Sequence, residues 1–103
     1  MIELEKDNLK ELVESNQKVI VQYGASWCGM CRLVKPKFVE LAKKNEDIVF
    51  VYADAEKYPQ TRELVDISNL PTFAGFVSGN LIASKMGTKE STIEEIIDAL
   101  TSH

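Results

Sequence analysis

The sequence lacks a metal-ligand set. Beside its two cysteines, His103 near the end of the chain is the only His or Cys left to serve as a ligand. A structural zinc site normally takes four ligands, so no metal centre is expected. No window approaches a membrane span in length and apolarity. The opening residues, Met1 to Asp7, are charged and lack the apolar core of a signal peptide. Unless a leader has been removed, a cytoplasmic location is the expectation. No basic stripe suggests nucleic acid, and no repeat, linker or low-complexity segment divides the chain. No odd cysteine remains for a regulatory disulfide, so a monomer is expected.

What is present suits one compact core. The 103 residues are 45% apolar and carry a net charge of −4, with lysines and acids interleaved. A single domain over residues 1–103 is expected, with one core and not two. Lys35, Lys37, Lys43 and Lys44 read as the solvated face of one helix. Docking of acidic partners is the lesser reading of that run.

The residues from Val19 to Arg32 organise the rest. A β-branched run (Val19, Ile20, Val21) meets a small-residue bend, Gly24-Ala25-Ser26, followed by Trp27-Cys28-Gly29-Met30-Cys31. A helical pattern then begins, with Val34, Phe38 and Leu41 on one face. This is the layout of a dithiol at a helix N-terminus. Unpaired backbone N–H groups and about half a positive charge favour a thiolate there. Cys28 belongs at the helix mouth and would attack a substrate disulfide, while Cys31, one turn deeper, would resolve the mixed disulfide. An inert buried pair is the plain alternative. In a reducing compartment, this spacing favours catalysis over a structural disulfide.

The remaining elements follow in order. Ile2 to Leu4 reads as a short edge strand. Asp7 is placed to cap a helix bearing Leu9, Leu12 and Val13, ending at Asn16. Val19 to Tyr23 is a strand buried on both faces. The helix after Cys28 runs to about Lys44 with Pro36 inside it, which predicts a kink. Ile48 to Tyr52 is the next strand, and Pro59 suits the first position of a third helix. The apolar run through Val77, the turn Ser78-Gly79-Asn80 and the run Leu81 to Met86 predict a hairpin. Ile93, Ile96, Ile97 and Leu100 form a last helical stripe, with Ser91 and Glu94 at capping-box spacing and a start a few residues earlier as the alternative. The order β-α-β-α-β-α-β-β-α predicts an α/β fold with a mixed central sheet and helices on both faces.

On these residues the chain resembles the thioredoxin family. The resemblance rests on Ala25-Ser26-Trp27-Cys28-Gly29-x-Cys31-Arg32, Pro36, Asp54, Leu70-Pro71-Thr72-Phe73, Ser78-Gly79-Asn80 and Gly87. It implies the thioredoxin fold, with about five strands flanked by about four helices. It implies a cis Leu70-Pro71 bond beside the dithiol and a backbone at Leu70 free to pair with an extended substrate segment. The implied groove is walled by Trp27, Gly29, Met30, Leu70, Pro71, Gly87 and Met86. No cofactor is implied beyond a redox-active Cys28–Cys31 disulfide. The implied partners are a flavoprotein thioredoxin reductase as electron donor and disulfide-containing proteins as substrates.

Four departures from the family pattern bear on tuning. Met30 stands where the family usually has proline, and it restores a backbone N–H. Gln22 stands where a buried aspartate is usual, and Tyr52 holds the position of its lysine partner. Gln22 cannot take a proton near neutrality, so Cys31 lacks an evident base. Gly24 replaces a large aromatic and opens space that either admits a bulkier partner or is filled by Tyr23 and Met30.

The reading that follows is a thiol–disulfide oxidoreductase that reduces protein disulfides. Two alternatives stand beside it. One is the same dithiol used as an oxidant or isomerase, or with one dedicated partner. The other is a non-catalytic binding subunit in which the thiols are incidental.

Overall fold

The computed structural model describes every residue from Met1 to His103. Its elements are β1 (Ile2–Glu3), α1 (Leu9–Glu14), β2 (Lys18–Gly24), α2 (Gly29–Lys44), β3 (Val49–Asp54), a 3₁₀ turn (Pro59–Glu63), β4 (Thr72–Val77), β5 (Asn80–Met86) and α3 (Glu90–Thr101). The five strands form one sheet in the order β1-β3-β2-β4-β5. β1, β3 and β2 run parallel, and β4 and β5 join them antiparallel. This is the thioredoxin fold.

Strand alternation divides the core into two layers. From β2, Val19, Val21 and Tyr23 face α1 and the segment after β3, where Leu9, Val13, Tyr58 and Val65 pack. Ile20 faces the other way and meets Val34, Phe38 and Leu41 of α2 and Ile93, Ile96 and Leu100 of α3. Near-continuous apolarity in β2 is therefore the signature of its central place. The hairpin between β4 and β5 closes through Ser78 (φ 50°) and Gly79 (φ 83°). Two positive φ values make a turn whose twist matches that of paired strands.

Three local expectations are corrected. The predicted third helix is the 3₁₀ turn, leaving three α-helices instead of four. Its five residues bury only Thr61, too little apolar face to sustain an α-helix. Asp7 does not cap α1. Asn8 holds that position without a side-chain cap bond, and Asp7 instead accepts the Gln60 N–H at 3.2 Å. α1 also stops at Glu14, yet Asn16 still serves its C-terminus by donating to the Leu12 carbonyl at 2.9 Å. For α3 the earlier of the two expected starts holds: the helix begins at Glu90, so Ser91 lies inside it and makes no capping box with Glu94.

Phe38 ties α2 to the sheet. Its ring lies 4.9 Å from that of Phe50 on β3 and 5.8 Å from that of Phe73 on β4. Phe38→Ala should cost about 3–5 kcal/mol of stability. Urea unfolding followed by circular dichroism checks this; a loss under 1 kcal/mol would show that α2 is held elsewhere.

Candidate active site

β2 ends at Gly24, and the next residues turn tightly enough for the Cys28 N–H to donate to the Ala25 carbonyl at 3.1 Å. α2 begins at once, with Cys28 as its N-cap. The Cys28 Sγ accepts the Cys31 N–H at 3.2 Å, as a capping oxygen would. The two cysteines form a disulfide with a Cα–Cα distance of 5.3 Å. Cys28 retains 6% exposure and Cys31 none. The sulfur at the helix mouth is thus the one a partner can reach.

The surroundings bring together most of the residues singled out from the sequence. Ala25 and the cysteines form a small apolar cluster on which Leu70 packs. The Leu70-Pro71 bond is cis, and Pro71 is buried with its carbonyl accepting the Gly87 N–H at 3.3 Å. Gly87 has φ 153°, and a Cβ there would lie 2.6 Å from Thr92 Oγ1, so a side chain is excluded. Gly29 is the first residue of α2 and has open space around it. Trp27 and Met30 are 64% and 47% exposed, and Met86 is exposed across the site with its sulfur accepting from Ser68 Oγ. The Trp27 indole N–H donates to Glu56 at 2.7 Å.

One contributor to the site, and one exposed residue outside it, were not anticipated. Glu56 carries no motif of its own; only the loop's return from β3 brings it to the indole. Leu33, 69% exposed, lies off the apolar face of α2, and that mismatch with the helical period was the available signal.

The interior beneath the dithiol is neutral. Gln22 is fully buried, and its Nε2 donates to the Cys31 carbonyl at 3.0 Å. Its Oε1 is buried without a partner. Gln22 stands opposite Tyr52 on β3 and Phe73 on β4. Burial, then the nearby Asp54 and Glu3 carboxylates, raise the Tyr52 pKa against the opposing Arg32 charge. The phenol therefore stays protonated at neutral pH, and neither member of the pair accepts a proton there. The space left by Gly24 is filled by Tyr52, not by Tyr23 or Met30: a Cβ on Gly24 would lie 2.4 Å from the Tyr52 hydroxyl. Lys35 stacks 4.2 Å from the Tyr52 ring centroid and pairs with Glu3. Nowhere do three His, Cys, Asp or Glu side chains converge as a metal-ligand group.

A cysteine pair able to form a disulfide, seated on a helix N-terminus beside an exposed apolar rim, can exchange disulfides with a partner. Comparison with known proteins agrees. The thioredoxin family model matches residues 1–99. The H-type thioredoxin of Picea mariana is 31% identical over 97 residues, covering 94% of this chain and 78% of that protein. The crystal structure of Schistosoma mansoni thioredoxin superposes with a TM-score of 0.86 at 35% identity, covering 94% and 92% of the two chains. Plasmodium falciparum thioredoxin shares the fold with a TM-score of 0.88 at 24% identity, covering 95% and 97%.

Gln22→Asp would place a carboxyl in a fully buried position, where burial raises its pKa. The rate of disulfide reduction should then gain a pH-dependent step near neutrality that the native chain lacks. Stopped-flow rates between pH 5 and 9 test this; an unchanged rate and profile would show that the residue does not couple to Cys31.

Proposed function

The chain belongs to the thioredoxin family, and on that premise we propose that it works as a general reductant of protein disulfides. Its activity is thiol–disulfide oxidoreduction, with the Cys28–Cys31 pair as the redox group; thioredoxins need no cofactor. The observation that carries the proposal is the helix cap. Cys28 sits at the N-terminus of α2 with its sulfur receiving a backbone N–H and its surface open to a partner.

In the dithiol form the Cys28 thiolate attacks one sulfur of the substrate disulfide, and the other substrate sulfur leaves as a thiolate. Cys31 then attacks Cys28 Sγ, expels the second substrate thiolate and closes the Cys28–Cys31 bond. Two electrons pass to the substrate, and two protons from the dithiol end on its sulfurs or in solvent. N–H groups of the first helical turn stabilise the attacking anion. The neutral Gln22 and Tyr52 offer Cys31 no base, so the departing thiolate or a water takes its proton. Trp27, Gly29, Met30, Leu70, Pro71 and Gly87 form the substrate-binding rim. The packing of Leu70 on the cysteines supports that role for it. A flavoprotein thioredoxin reductase returns the electrons, and a reducing compartment such as the cytoplasm is where that flow has work to do.

Cys31→Ser should accumulate a mixed disulfide between Cys28 and a protein substrate, and Cys28→Ser should reduce turnover to background. Mass spectrometry of the trapped adduct checks the first, and a steady-state disulfide-reduction assay checks the second. Retained turnover in Cys28→Ser would favour a binding subunit.

The dithiol couple should titrate near the established thioredoxin potential of about −270 mV. Met30→Pro removes an N–H from the first turn, which weakens the Cys28 thiolate and stabilises the disulfide relative to the dithiol. Its midpoint should fall by roughly 30 mV, tenfold in equilibrium. A native midpoint tens of millivolts above that value would point to an oxidant or a specialised partner.

A further inference from the structure

α2 presents more than the dithiol. Met30, Leu33, Lys37 and Lys44 recur along one side of the helix at near-whole turns. The first two are large apolar side chains left open to solvent, and Trp27 stands open just before them. The core makes no use of Leu33, since Val34, Phe38 and Leu41 supply the buried face. Clustered open apolar groups of this size mark contact surfaces.

The charge on the same helix is one-sided. α2 holds Arg32, Lys35, Lys37, Lys43 and Lys44 against a single acid, Glu40, in a chain of net charge −4. Lys35 pairs with Glu3 and Lys43 with Glu40. Arg32 and Lys37 make no salt bridge, and Lys44, also without one, lines a groove with the α3 acids Glu90, Glu94, Glu95 and Asp98. Around the helix, Lys37 lies about 40° from Leu33 on one side and Arg32 about 100° from it on the other. Across the dithiol the sign reverses. Glu56 holds the Trp27 indole, and Asp54 accepts the N–H groups of Glu56 and Lys57, with Lys57 the one base among them.

We propose that the Leu33 side of α2 docks an extended acidic segment of the disulfide-bearing protein. An apolar residue of that segment covers Met30 and Leu33, and its carboxylates meet Lys37, with the Arg32 charge adding to the attraction from the flank of the helix. The inference rests on the oxidoreductase reading and names the chemistry of the substrates that the site prefers. From Met30 to Lys37 is about 10 Å along the helix axis, a distance spanned by about three residues of extended chain. The carboxylates therefore lie about three residues from the apolar anchor. The solvated lysines attract any polyanion; the open Leu33 between Arg32 and Lys37 asks for an apolar anchor, which a protein segment supplies. Asp54 and Glu56 repel the same segment if it crosses the site in the opposite sense.

The test uses the reduced full-length chain and two peptide disulfides. Each has an apolar residue next to its cysteine, followed three residues on by three glutamates in one peptide and three lysines in the other. Bis(2-hydroxyethyl) disulfide serves as a small, uncharged disulfide whose reduction does not depend on the charge at Arg32 or Lys37. At low ionic strength the acidic peptide should be reduced about five- to tenfold faster than the basic one, an advantage that falls with added salt. Arg32→Glu with Lys37→Glu should abolish or reverse the preference, and Leu33→Ser should slow both peptides about threefold. Every variant should keep its rate on the small disulfide within about twofold. Equal rates on the two peptides in the native chain, or a preference that survives charge reversal, overturns the docking surface while leaving the oxidoreductase reading intact. Failure to reduce the small disulfide as well overturns both.

Discussion

The Cys31 N–H reaches the sulfur of Cys28, the residue that caps α2, and the site depends on that contact. The contact exists only because the helix starts where β2 ends, with four residues between them. It puts one sulfur at the helix mouth, where the backbone dipole favours negative charge, and the other one turn inside. Holding the helix start in place takes packing some distance away. Phe38 wedges between Phe50 and Phe73, and Gln22 reaches from β2 to the Cys31 carbonyl. A strand, a helix and the residues between them thus act as one unit, stiffened from below by a core that takes no part in the chemistry.

The departures from the family pattern form a connected set. Gly24 lacks a side chain where the Tyr52 hydroxyl lies, so a large residue at one position calls for a missing one at the other. Tyr52 in turn stands opposite Gln22 on the neighbouring strand. An ion pair buried at these two positions would need both partners present; replacing both by neutral groups avoids leaving one charge stranded. The glutamine donates a hydrogen bond to the Cys31 carbonyl, which an ionised carboxylate cannot, and gives up the proton chemistry. One acceptor, Gln22 Oε1, is left buried and unmatched. Lys35 completes the set by lying over the Tyr52 ring while it pairs with Glu3 at the sheet edge.

Charge is sorted as deliberately as apolar surface. α3 carries Glu90, Glu94, Glu95 and Asp98 and no base, whereas α2 is predominantly basic. The two helices pack on the same face of the sheet through one apolar cluster. The modest net charge therefore conceals a basic helix beside an acidic one, which meet in a groove where Lys44 stands among Glu90, Glu94, Glu95 and Asp98, while the start of the basic helix carries the dithiol. Fields of this kind influence which partners arrive and in what orientation more than how tightly they hold.

Local pattern alone determined the strands, α2, α3, the hairpin and the dithiol at a helix start, because alternation, the 3.6-residue period and turn residues act within a few residues of chain. The family resemblance added Pro71, Leu70 and Gly87, which no short-range pattern would have joined to cysteines about forty to sixty residues away. Where competing local signals were nearly equal, the tertiary structure chose. Asp7 and Asn8 are both good caps, and the chain's return at Gln60 claimed Asp7. Pro59 could open either helix type, and with only Thr61 buried a 3₁₀ turn sufficed. The filling of the Gly24 space by Tyr52, the reach of Glu56 to Trp27 and the exposure of Leu33 were settled only by folding. Each depends on which distant backbone passes within van der Waals or hydrogen-bond range, and that is a property of the assembled sheet, beyond the reach of any segment taken alone.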